Sequence, residues 1–532
     1  MNSPPANQAG LLADMGTNFD SCGPNDKPVC PEKELSTSRG DAAPPTTHEV
    51  IAKTMQRRGI ASWIINISLG GVTLAMFLAI GRFAAIIPWA VAFGFLVLAG
   101  SWWDRRSRQR GHLLRLLVTS YLAISLVGML EISDNIRNFG TMFGGGADDS
   151  EYFFNTRTIL QDGMVPDNAG LYEVVLSAWG YLPNLVWKET TSAFEFLPLN
   201  WALAALIVGL CGELCHIVMN VRPPLWLMVV TLLGNYKFTD SVIHLYRDGL
   251  MLIFLLLALN SILAARHLRS FLYALPMVVL RGANFVLYFP VLMLSLSLRR
   301  LRTRALFYGW VSCILCATVW ILSSVGPQVF RYASRITYSA GDESIVTRTI
   351  GEQMDFRGQV IAAAVGPGAQ ETTLGAAMTN DSAASMVIRP IAFELVPTRF
   401  WPLEMGGDSR SRFAVNWTVY RGLTLRNIYE WFSIACWVVV IPLLIVGLGN
   451  AALGSRMLNI LFIYYAVCVF AVSFISFEMR HAAAFIVLHP LLAMLGYKAC
   501  KKHKIAQLAA IGVGVITAVG LCAYNSFGGP LL

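Results

Sequence analysis

The chain has 532 residues, of which 55% are hydrophobic and only 14% charged, with a formal net charge of +9. A charged share that far below the roughly 25% of soluble domains excludes an ordinary soluble enzyme and points to an all-α polytopic integral membrane protein. The basic excess falls in short clusters between apolar runs, as in cytoplasmic loops, so no nucleic-acid partner is expected.

The first stretch, residues 1–55, is polar and rich in Pro, Gly and Ser. It reads as a disordered cytoplasmic tail, and it has no apolar core of the kind a cleavable signal peptide needs. A multi-span domain over 56–504 follows, then a final span and a short external end over 505–532. Candidate spans begin near Ile60, Arg82, Leu113, Leu199, Leu225, Gly249, Phe271, Ala305, Ile428, Met457, Ala482 and Ile505. That amounts to about 12–13 transmembrane helices at about 20 apolar residues each. The seventh region, "FLYALPMVVLRGANFVLYFPVLMLSLSL", is broken by Pro276, Arg281-Gly282 and Pro290. It is either one bent span or two half-helices forming a hairpin.

Orientation follows from Lys and Arg. Clusters at Arg57–Arg58, Arg105–Arg110, Arg266–Arg269, Arg299–Arg304 and Lys498–Lys504 all reach one side if the tail is cytoplasmic and the seventh region is a hairpin. The opposite, external side then receives two large loops, about 132–198 and 324–427. The second carries many arginines, but long loops translocate largely regardless of charge. Most of the ten cysteines fall within or beside apolar runs and read as small buried thiols.

The first external loop opens with "GGGADDSEYFFN", Gly144 to Asn155. Its carboxylates, Asp148, Asp149 and Glu151, suit a general base or a cation seat, and taken alone they equally suit a solvated acidic turn. "HLYRDGLMLIFLLLALN" places Arg247 and Asp248 at the first turn of an apolar span. Asp is favoured at a positive helix end and Arg is not, so an anionic ligand such as a diphosphate would reconcile Arg247 with that location. His244 and Asp240 fall one and two turns upstream if the helix extends that far.

Arg281 interrupts the seventh region and needs a partner or a cavity in hydrocarbon. "FEMRH" puts Glu478, Arg480 and His481 at the outer end of another span. Arg247, Arg281 and Arg480, each at a helix end or break, could clamp a phosphate or diphosphate. "IRPIAFELVPTRFWPLEMGG" carries Arg389, Arg399, Trp401 and Glu404, either a sugar-binding face or an interfacial segment with Trp401 in the aromatic belt. No P-loop, GxSxG, HExxH or dinucleotide fingerprint occurs, which argues against ATP-driven transport and cytoplasmic hydrolase chemistry.

Taken together, "ADDSEY", "YRDGLMLIFLLLALN", "TRFWPLEM" and "FEMRHAAAFIVLHPLLAMLGY" appear in an order that resembles the membrane-embedded polysaccharide polymerases of the O-antigen and exopolysaccharide repeat-unit type. More loosely, the layout resembles the multi-span glycosyltransferases of the GT-C class. The resemblance covers about Ile60 to Tyr497. It implies a glycan on a polyprenyl phosphate or diphosphate as substrate, used at the external face of the bacterial inner membrane. Membrane lipids and other polysaccharide-assembly proteins would be its partners. It implies that Arg247, Arg281 and Arg480 hold phosphate, that Asp148 or Asp149 deprotonates the acceptor hydroxyl or binds the sugar, and that His244, Asp248, His481, Arg399 and Trp401 support them. No cofactor follows with certainty; a divalent cation is the one candidate. The alternatives are a lipid-linked glycan flippase or transporter, and a non-catalytic membrane assembly protein.

Overall fold

A computed structural model describes residues 47–107, 111–139, 142, 147–166, 169–186, 192–297, 309–310, 312, 425–475 and 482–523. The chain divides into two compact units, Met1–Ile60 and Ala61–Leu532. In the first, only the helical residues from Thr47 are described, so helix begins inside the stretch read as tail. The second unit is helical throughout its described residues, with no strand among them.

In chain order the helices are α1 (Thr47–Ala79), α2 (Ile86–Ser107), α3 (His112–Phe139), α4 (Ala147–Asp162), α5 (Leu171–Val186), α6 (Leu197–Met219), α7 (Leu225–Met228), α8 (Tyr236–Ile243), α9 (Asp248–Leu263) and α10 (His267–Ser297). After the undescribed stretch come α11 (Leu425–Leu453), α12 (Arg456–Ile475), α13 (Ala483–Ile486), α14 (His489–Lys502) and α15 (Lys504–Ala523). Among the described residues, six helices are long and apolar enough to cross a membrane, or seven if the bent pair α8–α9 counts as one span. Shorter apolar helices lie at Leu287–Leu296, Met457–Phe470 and Lys504–Thr517. Large apolar side chains such as Trp63, Ile64 and Ile67 on α1 and Ile505, Leu508 and Ile516 on α15 are exposed, as lipid-facing residues are. The chain is a multi-pass membrane protein. The span expected from Ala305 and the loop 324–427 lie outside the described residues, apart from Gly309, Trp310 and Ser312 and the backbone of the first turn of α11.

Close contacts fix the directions of the helices. Leu117 of α3 fills the space beside Gly209 of α6, and Trp201 of α6 fills the space beside Gly128 of α3, so these two run antiparallel. Gly249 of α9 abuts Leu203, and Asn260 Nδ2 donates to the Leu210 carbonyl (3.2 Å), so α9 runs parallel to α6. The C-terminal ends of α6 and α9 therefore share one end of the bundle with Lys498, whose ammonium reaches the Met219 carbonyl (3.5 Å). Arg222, Arg266, Lys501 and Lys502 belong to this basic end.

Two elements depart from simple spans. First, α10 folds back on itself. His267 Nδ1 and Ser295 Oγ are 28 positions apart in sequence yet 3.5 Å apart in space; in a straight helix they would be separated by about 42 Å. Ser270 and Tyr288 also join by their hydroxyls. The non-helical residue between the two arms is Arg281, at the apex. The hairpin reading of the seventh region holds, and the single-span alternative falls.

Second, the expected span from Leu225 is not one helix. Residues Leu225–Met228 are α-helical and Val229–Leu233 form a π-helical stretch. Together they cover only about 14 Å, less than half of a hydrocarbon core of about 30 Å. The run ends at Gly234, where Cys436 of α11 occupies the space in which a Cβ would stand. Asn235 then caps α8, its side-chain oxygen accepting from the Lys237 amide (3.1 Å). The segment still joins the two ends of the bundle. Trp226 packs against Tyr497 beside Lys498, and the carbonyl of His244 meets Asn200 near the start of α6.

Candidate functional site

The end opposite the basic one is where α8 stops and α9 starts. The two are bent by 115°. The helix of α9 therefore does not extend back to His244 and Asp240, as the sequence reading allowed; His244 is the extended residue that ends α8. Its imidazole Nε2 stands 3.7 Å from Asp240 Oδ1 one turn earlier. The connecting turn is held by side chains of α6. Asn200 Nδ2 donates to the carbonyls of His244 and of Tyr246 (3.3 Å for the latter), and Trp201 Nε1 donates to that of Ile243 (3.2 Å). These bonds satisfy carbonyls that a broken helix would otherwise leave bare in an apolar bundle.

Asp248 is the first residue of α9 and is buried, where its negative charge lies along the favourable direction of the helix dipole. Arg281 Nη1 donates to its Oδ1, so the hairpin apex of α10 and the start of α9 are joined by a charge-assisted pair. This is the partner that Arg281 requires at that depth.

The preceding loop supplies the rest. Its helices α4 and α5 pack together, with Tyr152 edge-on to Tyr172 at 5.2 Å. The Tyr172 hydroxyl donates to Asn200 Oδ1 (2.9 Å), which ties α5 to the amide that holds the 244–246 turn. Next to it, Glu173 is buried on the first turn of α5, and its Oε2 accepts from the Gly170 amide (2.9 Å), as in a capping box. Arg247 adds the weakest of the electrostatic pulls on this carboxylate. Burial pushes the Glu173 carboxyl above the usual glutamate range, against the opposing pull of the Gly170 amide, Asn155 and Arg247.

The sequence-derived residues divide as follows. Arg247, Asp248, His244 and Arg281 gather at this end. Asp148, Asp149 and Glu151 fall on the first turn of α4, at the same loop. Glu151 is exposed, and the side chains of Asp148 and Asp149 lie outside the described residues. Buried carboxylates of this end include Glu173, Asp240 and Asp248, while α4 turns Tyr152, Phe153 and Asn155 inward and leaves Glu151 on its outer face. Arg480, His481, Arg399 and Trp401 lie outside the described residues. Sequence reasoning missed Glu173. The available signal was a glutamate three residues after a glycine at the start of "LYEVVLSAWG", a helix with one apolar face.

Among the described residues, no group of three or more His, Cys, Asp or Glu side chains could hold a metal ion. Compared with known proteins, the chain matches no family model and no curated sequence.

Proposed function

We propose that the protein is a glycosyltransferase of the polysaccharide-polymerase type. It acts on a glycan linked to polyprenyl phosphate or diphosphate, at the external face of the bacterial inner membrane, with its N-terminus in the cytoplasm. The observation that carries this reading is the meeting of Arg247, Asp248 and Arg281 at helix breaks on the end opposite the lysine- and arginine-rich one. By the positive-inside rule the basic end is cytoplasmic, which leaves the charged breaks outside.

A lipid-linked donor carries its own leaving group, so no nucleotide is needed there. The enzyme has to orient two glycans, accept a proton from the acceptor hydroxyl, and offset the charge that develops on the departing phosphate. Arg247 suits the last task through its bidentate fork, and Arg480 is a further phosphate ligand on sequence grounds. The Arg281–Asp248 pair holds the two breaks in register.

The test is a cell lacking the gene, complemented with Arg247→Ala. Lipid-linked glycan should accumulate as a single repeat unit and long-chain polysaccharide should disappear, with the protein still present in the membrane. Normal polymer from that variant would sink the proposal. A transporter of lipid-linked glycan is the second reading, favoured by the 115° break and the α10 hairpin, since transporters place discontinuous helices at their substrate sites. It requires movement of the glycan without joining.

A further inference from the structure

The two helices between α3 and α6 turn unlike faces outward. α4 exposes Glu151, Gln161 and Asp162 along with Phe154, a mixed surface of the kind that meets water. α5 buries Tyr172, Glu173, Leu176, Ser177 and Gly180, which fall on one face at helical spacing. Among its described side chains, the opposite face is Leu171, Val174, Ala178 and Tyr181, all exposed and none charged. Met164 and Val165, just before the helix, are exposed as well. A helix at the surface of a soluble protein is polar on its outward face. One that is apolar there belongs against another protein surface or in hydrocarbon.

Depth decides between these. Trp179 Nε1 donates to the Glu195 carbonyl (3.2 Å), and Phe196 and Leu160 fill the space beside Gly180. Toward the other end of α5, the Tyr172 hydroxyl bonds Asn200. The apolar span of α6 runs from Ala193 to Met219. Asn200 therefore lies about 10 Å along it, at 1.5 Å per residue. α5 thus stands beside the first turns of a membrane-crossing segment, level with them and not beyond them. It also packs against α2 and α10, whose exposed apolar side chains toward the same end include Val91 and Val279. The outward face of α5 continues the apolar surface that these two helices turn to lipid.

We propose that α5 is immersed in the leaflet at this end of the bundle, with Leu171, Val174 and Ala178 against the hydrocarbon chains of bilayer lipid. Tyr181, with a polar tip on an apolar ring, suits the headgroup level. At 16 residues the helix is about 24 Å long, too short to cross a core of about 30 Å by itself. Part of the loop 132–198, read from the sequence as external, is then lipid-facing, while α4 keeps its polar face in water. A single helix separates the leaflet from Asn200, the residue that holds the 244–246 turn. This arrangement holds whatever reaction the protein performs.

The experiment uses the full-length protein in liposomes of phosphatidylethanolamine and phosphatidylglycerol. The photoreactive residue p-benzoylphenylalanine replaces Val174, Tyr181 or, on α4, Glu151. All three positions are exposed, so the larger side chain displaces no packed neighbour. Two positions on α5 are used so that failure of one variant to fold leaves the other to decide. After illumination, the mass of the intact protein should rise by that of one phospholipid in the Val174 and Tyr181 variants and stay unchanged in the Glu151 variant.

Cross-links from Val174 and Tyr181 to residues 313–424, or to a second copy of the chain, overturn the proposal in favour of a protein cover. Protein free of adducts at both positions overturns it in favour of water. Lipid adducts of equal yield at Glu151 overturn the distinction between the two helices, and with it the assignment of the α5 face.

Discussion

Helices meet in two contrasting ways in this molecule. Where α11 crosses α14, the contact is made by small residues. A Cβ on Gly447 would fall on the Leu492 carbonyl, and one on Gly496 on the Leu443 carbonyl, so backbones touch with nothing between them. Where α9 meets the apex of α10, the contact is a buried charge pair, Asp248 with Arg281. The first kind of junction suits a permanent scaffold in lipid, because association there depends on close packing. The second is costly to desolvate and is a weak route to stability. Its presence at two helix breaks argues that the breaks serve a site, and that the scaffold is elsewhere.

The contrast can be broken from either side. The largest effect is expected at the charged junction. Asp248→Ala leaves the Arg281 guanidinium uncompensated in an apolar setting and should cost about 3–5 kcal/mol. Thermal unfolding of the protein in detergent measures this. Combining Asp248→Ala with Arg281→Met should restore most of that stability while chain growth stays lost. A double variant no more stable than Asp248→Ala would mean that the pair is not what sets the cost. At the small-residue junction, Gly447→Ala forces the two backbones apart and should cost about 1–3 kcal/mol. Chain growth per folded molecule should remain close to that of the wild type. A stable Gly447→Ala variant with lost activity would place function at the scaffold crossing instead.

The same contrast explains what the sequence made legible. Fold class followed from composition, since a chain so poor in charge has to bury its surface in lipid. The α10 hairpin followed from two independent signs, the Pro and Arg-Gly interruptions and the side on which the later basic clusters would otherwise fall. The Leu225 region was misread as a plain span because apolarity averaged over 20 residues hides a break like that at Gly234–Asn235. The neighbour that requires glycine at that break lies 200 residues away, in Cys436 of α11. α8 was equally hidden. It is polar, with Lys237, Thr239, Asp240 and Ser241, yet fully buried, because its neighbours take up its hydrogen bonds, as Tyr429 does for Thr239 at 2.6 Å.

At the site, charges at helix starts were readable. Arg247, Asp248 and Arg281 stood out because the helix dipole and the hydrocarbon both penalise misplaced charge. Their partners were not readable. The pairing of Arg281 with Asp248 depends on α10 folding back, and the contact of Tyr172 with Asn200 depends on α5 packing against the start of α6. The acidic run after Gly146 drew attention because its carboxylates are adjacent in sequence. Glu173 is a single acid in an apolar helix, and only the fold shows it buried on the Gly170 amide.

The central claim is that the charged breaks join glycans carried on a lipid. Its most direct test is the product formed by the purified wild-type protein in liposomes given the lipid-linked glycan from the deletion strain. The expected result is a ladder of glycans lengthened by whole repeat units, with free polyprenyl phosphate or diphosphate released at each step. Glycan that crosses the bilayer with its length unchanged would contradict it.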